Sequence, residues 1–251
     1  MKRCVLCLFL ALTCVFSLSS FAASVDPAAY TDGDRIVYRE AVDTLSQLGV
    51  ISGKEDGSFD PQGLITRAEC AKLFCLMECG GDMTQLPGPA QDLPFSDIEG
   101  HWAENYISDC AWRGVLNGRG EGIFDPDANV TGLEFTKMAL GSLGYNPAFY
   151  GLTGPDWKSM TNRLALLTCS PSLYEGLDEN AKMSGPVTRE VAAQILYNIL
   201  YNGILEAVPH VDPATGMCEF TYSPWMDENG QAIVFYTIYF DAEKWDILSA
   251  K

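Results

Sequence analysis

The chain has few basic residues for its length. Only 16 lysines and arginines stand against 33 aspartates and glutamates, so the formal net charge is −17 over 251 residues. A protein this negative repels nucleic acid and anionic membrane surfaces, and neither is expected as a partner. Any anionic ligand must be held by a local group of cations. The positions of individual arginines therefore carry more information than the overall charge.

Catalytic and metal-binding signatures are scarce as well. The two histidines, His101 and His210, have no nucleophile motif nearby, and no spacing singles out a pair of carboxylates. His101, in a Gly-His-Trp element, is expected to pack or cap. An EF-hand alignment of the acidic loop around Gly57 puts Lys54 where an oxygen ligand is required. We therefore expect no enzyme, no metal site and no cofactor.

A long apolar run occurs only at the start of the chain. Lys2 and Arg3 precede an apolar stretch from residue 4 to 18, and small residues at 20–22 resemble a cleavage site. Residues 1–22 are thus predicted to be a secretory signal peptide, too short for a convincing spanning helix. Nothing later resembles a membrane span, so we expect a secreted chain that does not insert into a membrane after cleavage.

Six cysteines remain once this leader is removed, and a secreted chain permits disulfides among them. Cys70, Cys75 and Cys79 fall on one predicted helix. At about 100° per residue, Cys70 points well away from the other two, so the three cannot form one metal cluster. Buried free thiols are the expected state of most of the six, and any pairing stays open.

A stretch of the chain occurs twice without a gap, 65 positions apart. The first copy covers residues 49–61 and 65–69, and the second covers 114–126 and 130–134. A third, eroded copy ends at residues 187–190. A repeat with fixed spacing indicates one supersecondary unit used several times.

Each unit is predicted to be a helix, a glycine-rich loop and a second helix. Apolar residues spaced by 3, 4 and 7 positions predict an amphipathic helix over residues 39–48, which Gly49 ends. Thr66 with Glu69 predicts a capping box for the second helix, and Thr131 with Glu134 repeats it.

The second helices are apolar nearly all round and must be buried. We therefore predict a mainly α, pseudo-threefold fold over residues 23–203, with a central three-helix bundle and the first helices as peripheral lobes. Its units are at about 30–79, 95–145 and 156–203, with a linker at 80–94.

Residues 204–251 have a different character. Two runs rich in aromatic and β-branched residues, 217–222 and 232–240, flank Asn229-Gly230, which predicts a small β-hairpin. A lone hairpin is marginal in water, so it should lie on the helical part or meet a partner. Trp225, Tyr236 and Tyr239 would either form that surface or pack internally.

These motifs resemble the S-layer homology (SLH) family. The second copy carries Phe95-Ser-Asp97, Gly100-His-Trp102-Ala, Gly114-Val-Leu-x-Gly118 and Gly122-x-Phe124-x-Pro126. The first copy carries the specific signature Ile65-Thr-Arg67-Ala-Glu69. The resemblance covers roughly residues 30–203.

The resemblance implies a non-catalytic module that anchors secreted proteins at the cell wall and cell surface, mostly in Gram-positive bacteria. Its ligand would be an anionic secondary cell-wall polysaccharide, commonly carrying ketal-linked pyruvate, bound in grooves between repeats. Carried over, the signature arginine points to Arg67 and Arg189. Gly53, Gly118 and Trp102 occupy matching positions. Other envelope proteins are a further candidate partner, through the C-terminal tail.

The arginines can also be argued from their position. Arg67 and Arg189 each follow a threonine cap, where a cation opposes the helix dipole at a cost of about 0.3–1 kcal/mol. Unpaired N–H groups at a helix start bind anions, and a guanidinium adds a two-pronged grip on a carboxylate. An anion is therefore expected there. The alternative is that Arg67 pairs with a neighbouring acid such as Asp60.

Two departures from the family pattern bear on function. Gly132 stands where the second copy should have an arginine, and Val191 stands where the third should have a glutamate. We therefore expect at most two arginine-bearing grooves. The alternative function is a degenerate SLH scaffold that serves protein–protein assembly at the cell surface without binding glycan.

Overall fold

The computed structural model describes residues 30–82, 84, 95–179, 181, 183–211 and 217–249. The predicted signal peptide and most of the predicted linker at 80–94 lie outside these ranges. The described chain is mainly α-helical with one small antiparallel hairpin, as the sequence predicted. None of its helices combines the length and the apolar character needed to cross a membrane.

The helical part consists of three helix pairs. The first helices of the pairs are α1 (Arg39–Gln47), α3 (Glu104–Trp112) and α5 (Trp157–Leu167). The second helices are α2 (Arg67–Glu78), α4 (Gly132–Ser142) and α6 (Arg189–Leu200). The tail adds strands β1 (Leu205–Val211) and β2 (Cys218–Pro224), then α7 (Phe235–Tyr239) and α8 (Ala242–Ser249).

The predicted caps form. Thr66 and Thr131 each accept from the backbone N–H of the glutamate three residues on, and that glutamate side chain accepts from the threonine backbone. Both capping boxes are confirmed. Thr188 caps α6 through the N–H of Val191, which has no acceptor to complete the box.

The helices pack in a closed order. Helix α4 lies against both α2 and α6, with the Phe74 and Phe135 rings 5.3 Å apart. Each first helix packs on the second helix of the preceding unit: α3 on α2, α5 on α4, and α1 on α6. Because α1 of the first unit packs on α6 of the third unit, the three units form a closed ring. Each unit therefore buries its apolar face only against its neighbours.

Short backbone bridges join the starts of the second helices. Each unit forms a bridge with both of the others. Thr66 with Asn129 joins the first and second units, Thr131 with Pro186 the second and third, and Leu64 with Thr188 the first and third. The loop that precedes each helix therefore hydrogen-bonds to a neighbouring unit, which fixes the spacing of the three helix starts.

The hairpin exists, but the prediction of its second strand was wrong. Strand β2 coincides with the first predicted run, while its partner is β1, and residues 232–240 contain helix α7 instead. Phe235 and Tyr239 are four residues apart with ring centres 4.5 Å apart, which is a helical spacing. Pro209 concealed β1 in the sequence, but proline is tolerated at a sheet edge, and both strands of a lone hairpin are edges.

Asn229-Gly230 still forms a turn, flanked by a single bridge between Met226 and Ala232. Beyond it the tail packs on the helical part. Phe235, Phe240 and Leu248 are buried, and Lys244 donates to the carbonyl oxygens of Leu48 and Gly80.

The three aromatic residues predicted either to form a surface or to pack internally, Trp225, Tyr236 and Tyr239, do not share one role. Tyr236 and Tyr239 pack against the core, whereas Trp225 stays 42% exposed.

The two glycine-rich loops are held by aspartates. Asp32 accepts from the N–H groups of Phe59 and Asp60 at 2.7 and 2.8 Å. Asp97 accepts in the same way from the N–H groups of Phe124 and Asp125 at 2.8 and 2.7 Å. Partial burial works to raise the pKa of both carboxyls, but the backbone donors outweigh it and lower the pKa.

A lowered carboxyl pKa stabilises the fold above the unfolded-state value near 3.8. That stabilisation is lost as the pH falls through the lower folded-state value. Replacing Asp32→Asn and Asp97→Asn together should lower the urea midpoint at pH 7, and the gap to wild type should narrow below about pH 4. Urea denaturation followed by circular dichroism from pH 7 to pH 2.5 measures it. A gap that stays constant over this range would contradict the assignment.

Candidate functional site

Arg67, the first residue of α2, packs against the loop of the second unit, and its relative exposure is only 4%. Its Nε donates to the carbonyl oxygen of Phe124 and its Nη2 to that of Asn117, both at 2.7 Å. The guanidinium carbon lies 4.3 Å from the centre of the Phe124 ring. One side chain thus fastens the second unit's loop to the first unit's helix.

Arg189 repeats this arrangement at the start of α6. Its Nε donates to the carbonyl oxygen of Phe59 at 2.8 Å and its Nη2 to that of Ser52 at 2.9 Å. The guanidinium lies 4.9 Å from the Phe59 ring centre. The third unit is therefore fastened to the loop of the first, and Arg189 is the less buried of the two arginines.

Two expectations about these arginines were wrong. The N–H groups at the start of α2 are not open to an anion, because those of Arg67 and Ala68 donate to the carbonyl oxygens of Ala128 and Pro126. The acid proposed as a partner, Asp60, pairs instead with Lys54. Within the described residues no carboxylate lies at ion-pair distance from either arginine, so the groups that bind their guanidinium N–H groups directly are carbonyl oxygens.

Arg67 and Gly118 line one cavity of about 230 Å³, which we call groove 2. The loop of the second unit and helix α4 form its walls. Its other lining residues are Val115, Asn117, Arg119, Glu134, Lys137, Met138 and Trp157. Groove 2 thus brings two of the five predicted site residues together with two further cations and an indole ring.

The other three predicted site residues, Arg189, Gly53 and Trp102, line a cavity of about 360 Å³, which we call groove 1. The loop of the first unit and helix α2 form most of its walls. The cations beside Arg189 are Lys54 and Lys72. Trp102 stands at the rim with 57% of its surface exposed.

The two grooves correspond position by position. Shifting the loop and second helix of groove 1 by 65 positions gives those of groove 2. The shift relates Gly53 to Gly118, Lys54 to Arg119, Glu69 to Glu134, and Lys72 to Lys137. Trp157 occupies in groove 2 the place of Trp102, at the start of the following unit's first helix.

The sequence analysis did not identify Trp157 as a site residue. It also did not identify the four cations that correspond between the two grooves, namely Lys54 with Arg119 and Lys72 with Lys137. The signal was present, because the repeat alignment keeps a basic residue at both cation positions of an otherwise acidic chain. Trp157 was harder to find, since the third unit lacks the Gly-His-Trp context that marks Trp102.

The cations of groove 2 are held at an electrostatic cost. Burial lowers the pKa of the Arg67 guanidinium, and the nearby charge of Arg119 lowers it further. Burial also lowers the pKa of Lys137, which Glu134 partly offsets, and its Nζ lies 5.3 Å from the Trp157 ring centre. An anion placed among these groups would relieve both effects.

Not all of the cations are free to meet a ligand. Arg119 is paired with Asp125 at 3.1 Å and Glu134 at 3.6 Å. By contrast, no ion pair of Lys72 or Lys137 is found among the described residues. These two lysines are therefore the groups most available to an anion.

No comparable groove is found at the start of α4 among the residues that the structure describes. A Cβ on Gly132 would lie 2.7 Å from the Cα of Met183, and the N–H groups of Gly132 and Leu133 donate to the carbonyl oxygens of Gly185 and Met183. The 183–185 segment fills the space that an arginine side chain would need. This is consistent with the expectation of at most two arginine-bearing grooves.

Gly53 and Gly118 have a packing role as well as a place in the grooves. A Cβ on Gly118 would come within 2.5 Å of the Phe95 ring and 2.7 Å of the Ile123 carbonyl oxygen. A Cβ on Gly53 would meet the Tyr30 ring at 2.6 Å. In both loops the glycine lets an aromatic ring lie directly under the groove floor.

The sequence model of the S-layer homology domain matches residues 29–71 and 94–136. The chain is 27% identical over 150 residues to an uncharacterized cell wall amidase of Bacillus anthracis, covering 58% of this chain and 27% of that protein. It is 37% identical over 91 residues to cell surface glycoprotein 1 of Acetivibrio thermocellus, covering 36% of this chain and 4% of that protein. It is 32% identical over 108 residues to the cellulosome-anchoring protein of Acetivibrio thermocellus, covering 43% of this chain and 24% of that protein. The chain therefore matches little more than a quarter of these relatives' length at most.

Replacing Arg67→Leu should lower the free energy of unfolding by about 2–4 kcal/mol, because a buried carbonyl group of Phe124 and a partly buried one of Asn117 lose their donor. The matched control is Arg163→Leu, at an exposed arginine of α5, which should change it by less than about 0.5 kcal/mol. Urea denaturation measures both. Equal small effects would show that Arg67 does not join the units.

Replacing Gly118→Ala should destabilise the fold by about 1–3 kcal/mol, because the added Cβ overlaps a backbone carbonyl and a ring. Gly141→Ala in helix α4 is the control. Its Cβ would meet nothing closer than 3.4 Å, and alanine favours the helix. If thermal denaturation ranked the two variants in the opposite order, the packing role of Gly118 would be wrong.

Proposed function

We propose that the chain anchors at the cell surface by binding an anionic, pyruvylated secondary cell-wall polysaccharide in groove 1 and groove 2, since two of its segments match the S-layer homology domain. The two domains, and relatives named for the cell wall, the cell surface and the S-layer, support a cell-wall or cell-surface location. The finer identity of the ligand rests on the grooves.

The charge distribution carries the proposal. In a chain with net charge −17, each groove gathers three cations around one glutamate. Two of them, Lys72 and Lys137, have no ion pair among the described residues, and they sit at the same place in the two repeats. A ketal-linked pyruvate offers a carboxylate, which ammonium and guanidinium groups bind by charge-assisted hydrogen bonds.

Each groove also offers an indole ring. Trp102 at groove 1 is exposed and Trp157 at groove 2 is half-buried. An aromatic face beside convergent polar groups suits a ligand that has both apolar C–H surface and charge, as an acidic sugar has.

The proposed module is non-catalytic. The match to the cell wall amidase covers only 27% of that relative, so the activity in its name is not carried over to this chain. His101 accepts from the N–H of Ala103 through Nδ1 at 3.1 Å, which is a capping contact.

We also propose that the three units are related by a pseudo-threefold axis with α2, α4 and α6 at its centre. The closed packing order of the first helices and the three bridges between helix starts support this arrangement. The domain model matches segments of the first two units, and the third unit lacks the glycine-rich loop, which supports two grooves in the described part of the chain.

A scaffold without glycan binding is the second candidate. The observation that favours it is the use of Arg67 and Arg189 as fasteners between units, because their Nε and Nη2 atoms already donate to carbonyl oxygens. In this case the grooves would be a by-product of assembly.

The test avoids the arginines, whose loss would also weaken the fold. We expect a Lys72→Gln/Lys137→Gln variant to bind cell-wall sacculi roughly tenfold or more weakly than wild type, because each groove loses its unpaired ammonium. The control for total charge is Arg35→Gln/Arg163→Gln, which also removes two positive charges, at exposed positions that line neither groove. Sedimentation with sacculi carrying a pyruvylated polymer, and with the same sacculi after the polymer is removed, measures binding.

Wild type should pellet only with polymer-bearing sacculi, and added salt should weaken the interaction. If the lysine variant and wild type, with equal melting temperatures, pellet alike, the grooves do not bind the polymer and the scaffold candidate is favoured. Equal pelleting with stripped sacculi would also contradict the proposal.

A further inference from the structure

We propose that Cys75 and Cys110 form a disulfide that joins helices α2 and α3. Their sulfur atoms lie 3.3 Å apart, and both side chains are completely buried. The two residues are 35 positions apart in the chain. A location at the cell wall or cell surface places the protein in a compartment where disulfides persist.

As thiols, the two side chains make only long hydrogen bonds through sulfur. Cys75 is 3.6 Å from the Tyr106 carbonyl oxygen and 3.4 Å from an Asp109 carboxylate oxygen, and Cys110 is 3.5 Å from the Ala71 carbonyl oxygen. Such S–H contacts are weak. A bond between the sulfurs removes both S–H donors.

A metal ion is the other species that this cluster could hold, since Cys75, Cys110 and Asp109 are close enough to share one. Arg113 argues against it. Its guanidinium pairs with Asp109 and Glu78, and its Nη2 lies 3.7 Å from both sulfur atoms. A permanent cation already occupies the neighbourhood, and the carboxylate is committed to it.

The bridge would form while the chain folds, before burial. Two S–H bonds break and one S–S bond forms. The two protons and two electrons pass to the disulfide of a thiol oxidoreductase, which is reduced to a dithiol. In the finished fold the bridge would be shielded, because neither sulfur is exposed.

The position of the bridge has a consequence for groove 1. Helix α2 carries Lys72, and helix α3 begins two residues after Trp102, so a covalent link between the helices fixes the α2 wall of this groove relative to Trp102 at its rim. Groove 2 has no such link: Leu140 and Ala165 are the corresponding residues of α4 and α5. This consequence rests on the proposed function, whereas the bridge itself does not.

The test is chemical. The full-length chain, exported into an oxidising compartment, is unfolded in guanidinium, alkylated without reductant and cleaved at glutamates. We expect peptides 70–78 and 105–121 to be recovered joined through Cys75 and Cys110, and to separate on reduction. Wild type that has been unfolded and reduced in guanidinium, then refolded in reductant, should melt about 5–15 °C below the oxidised protein. The Cys75→Ala/Cys110→Ala variant should not respond to reductant, and the control Cys70→Ala should respond as wild type does.

Full alkylation of Cys75 and Cys110 without reductant would overturn the proposal. So would a bridge that uses another cysteine, or stoichiometric zinc in the purified protein by elemental analysis. None of these readouts depends on wall binding, so the failure of this proposal and the failure of the proposed function are distinguishable.

Discussion

The fold depends on a guanidinium group that donates to the backbone of the neighbouring unit. Arg67 and Arg189 stand at a helix position where a cation is electrostatically unfavourable, and each donates from Nε and Nη2 to two carbonyl oxygens of the next loop. The same guanidinium lies over the phenylalanine whose carbonyl it binds. A helix start, a loop and an aromatic core are thus held by one side chain. An isolated unit could not make these contacts.

The grooves follow from this way of joining the units. Each arginine binds the loop of a neighbouring unit, and a groove lies beside that loop. The second helix of the unit that owns the loop contributes one lysine to the groove, Lys72 in groove 1 and Lys137 in groove 2. At Gly132, which stands in place of an arginine, the described residues 183–185 occupy the space, and no cleft is found there among the described residues. The buried Arg67 therefore joins two units first of all, and the half-buried Lys72 and Lys137 are the groups most available to an anion.

Much of this was predictable from the sequence, because the deciding signals are local. The capping boxes at Thr66 and Thr131 and the stop at Gly49 are set by neighbouring residues, and they appear as predicted. The tail was misread because Phe235 and Tyr239 satisfy a strand composition and a helix spacing equally well, and burial against the helical part selects the helix. The carbonyl partners of Arg67 were out of reach, since the Asn117 and Phe124 carbonyl oxygens lie 50 and 57 positions away.

The central claim is that the units build two anion-binding grooves and not three. Titration calorimetry with a pyruvylated oligosaccharide released from sacculi tests it most directly. The account predicts about two binding sites per chain, weakened by salt, and no binding of the same oligosaccharide after the pyruvate is hydrolysed. Three equivalent sites, no measurable binding, or equal affinity for the depyruvylated sugar would contradict it.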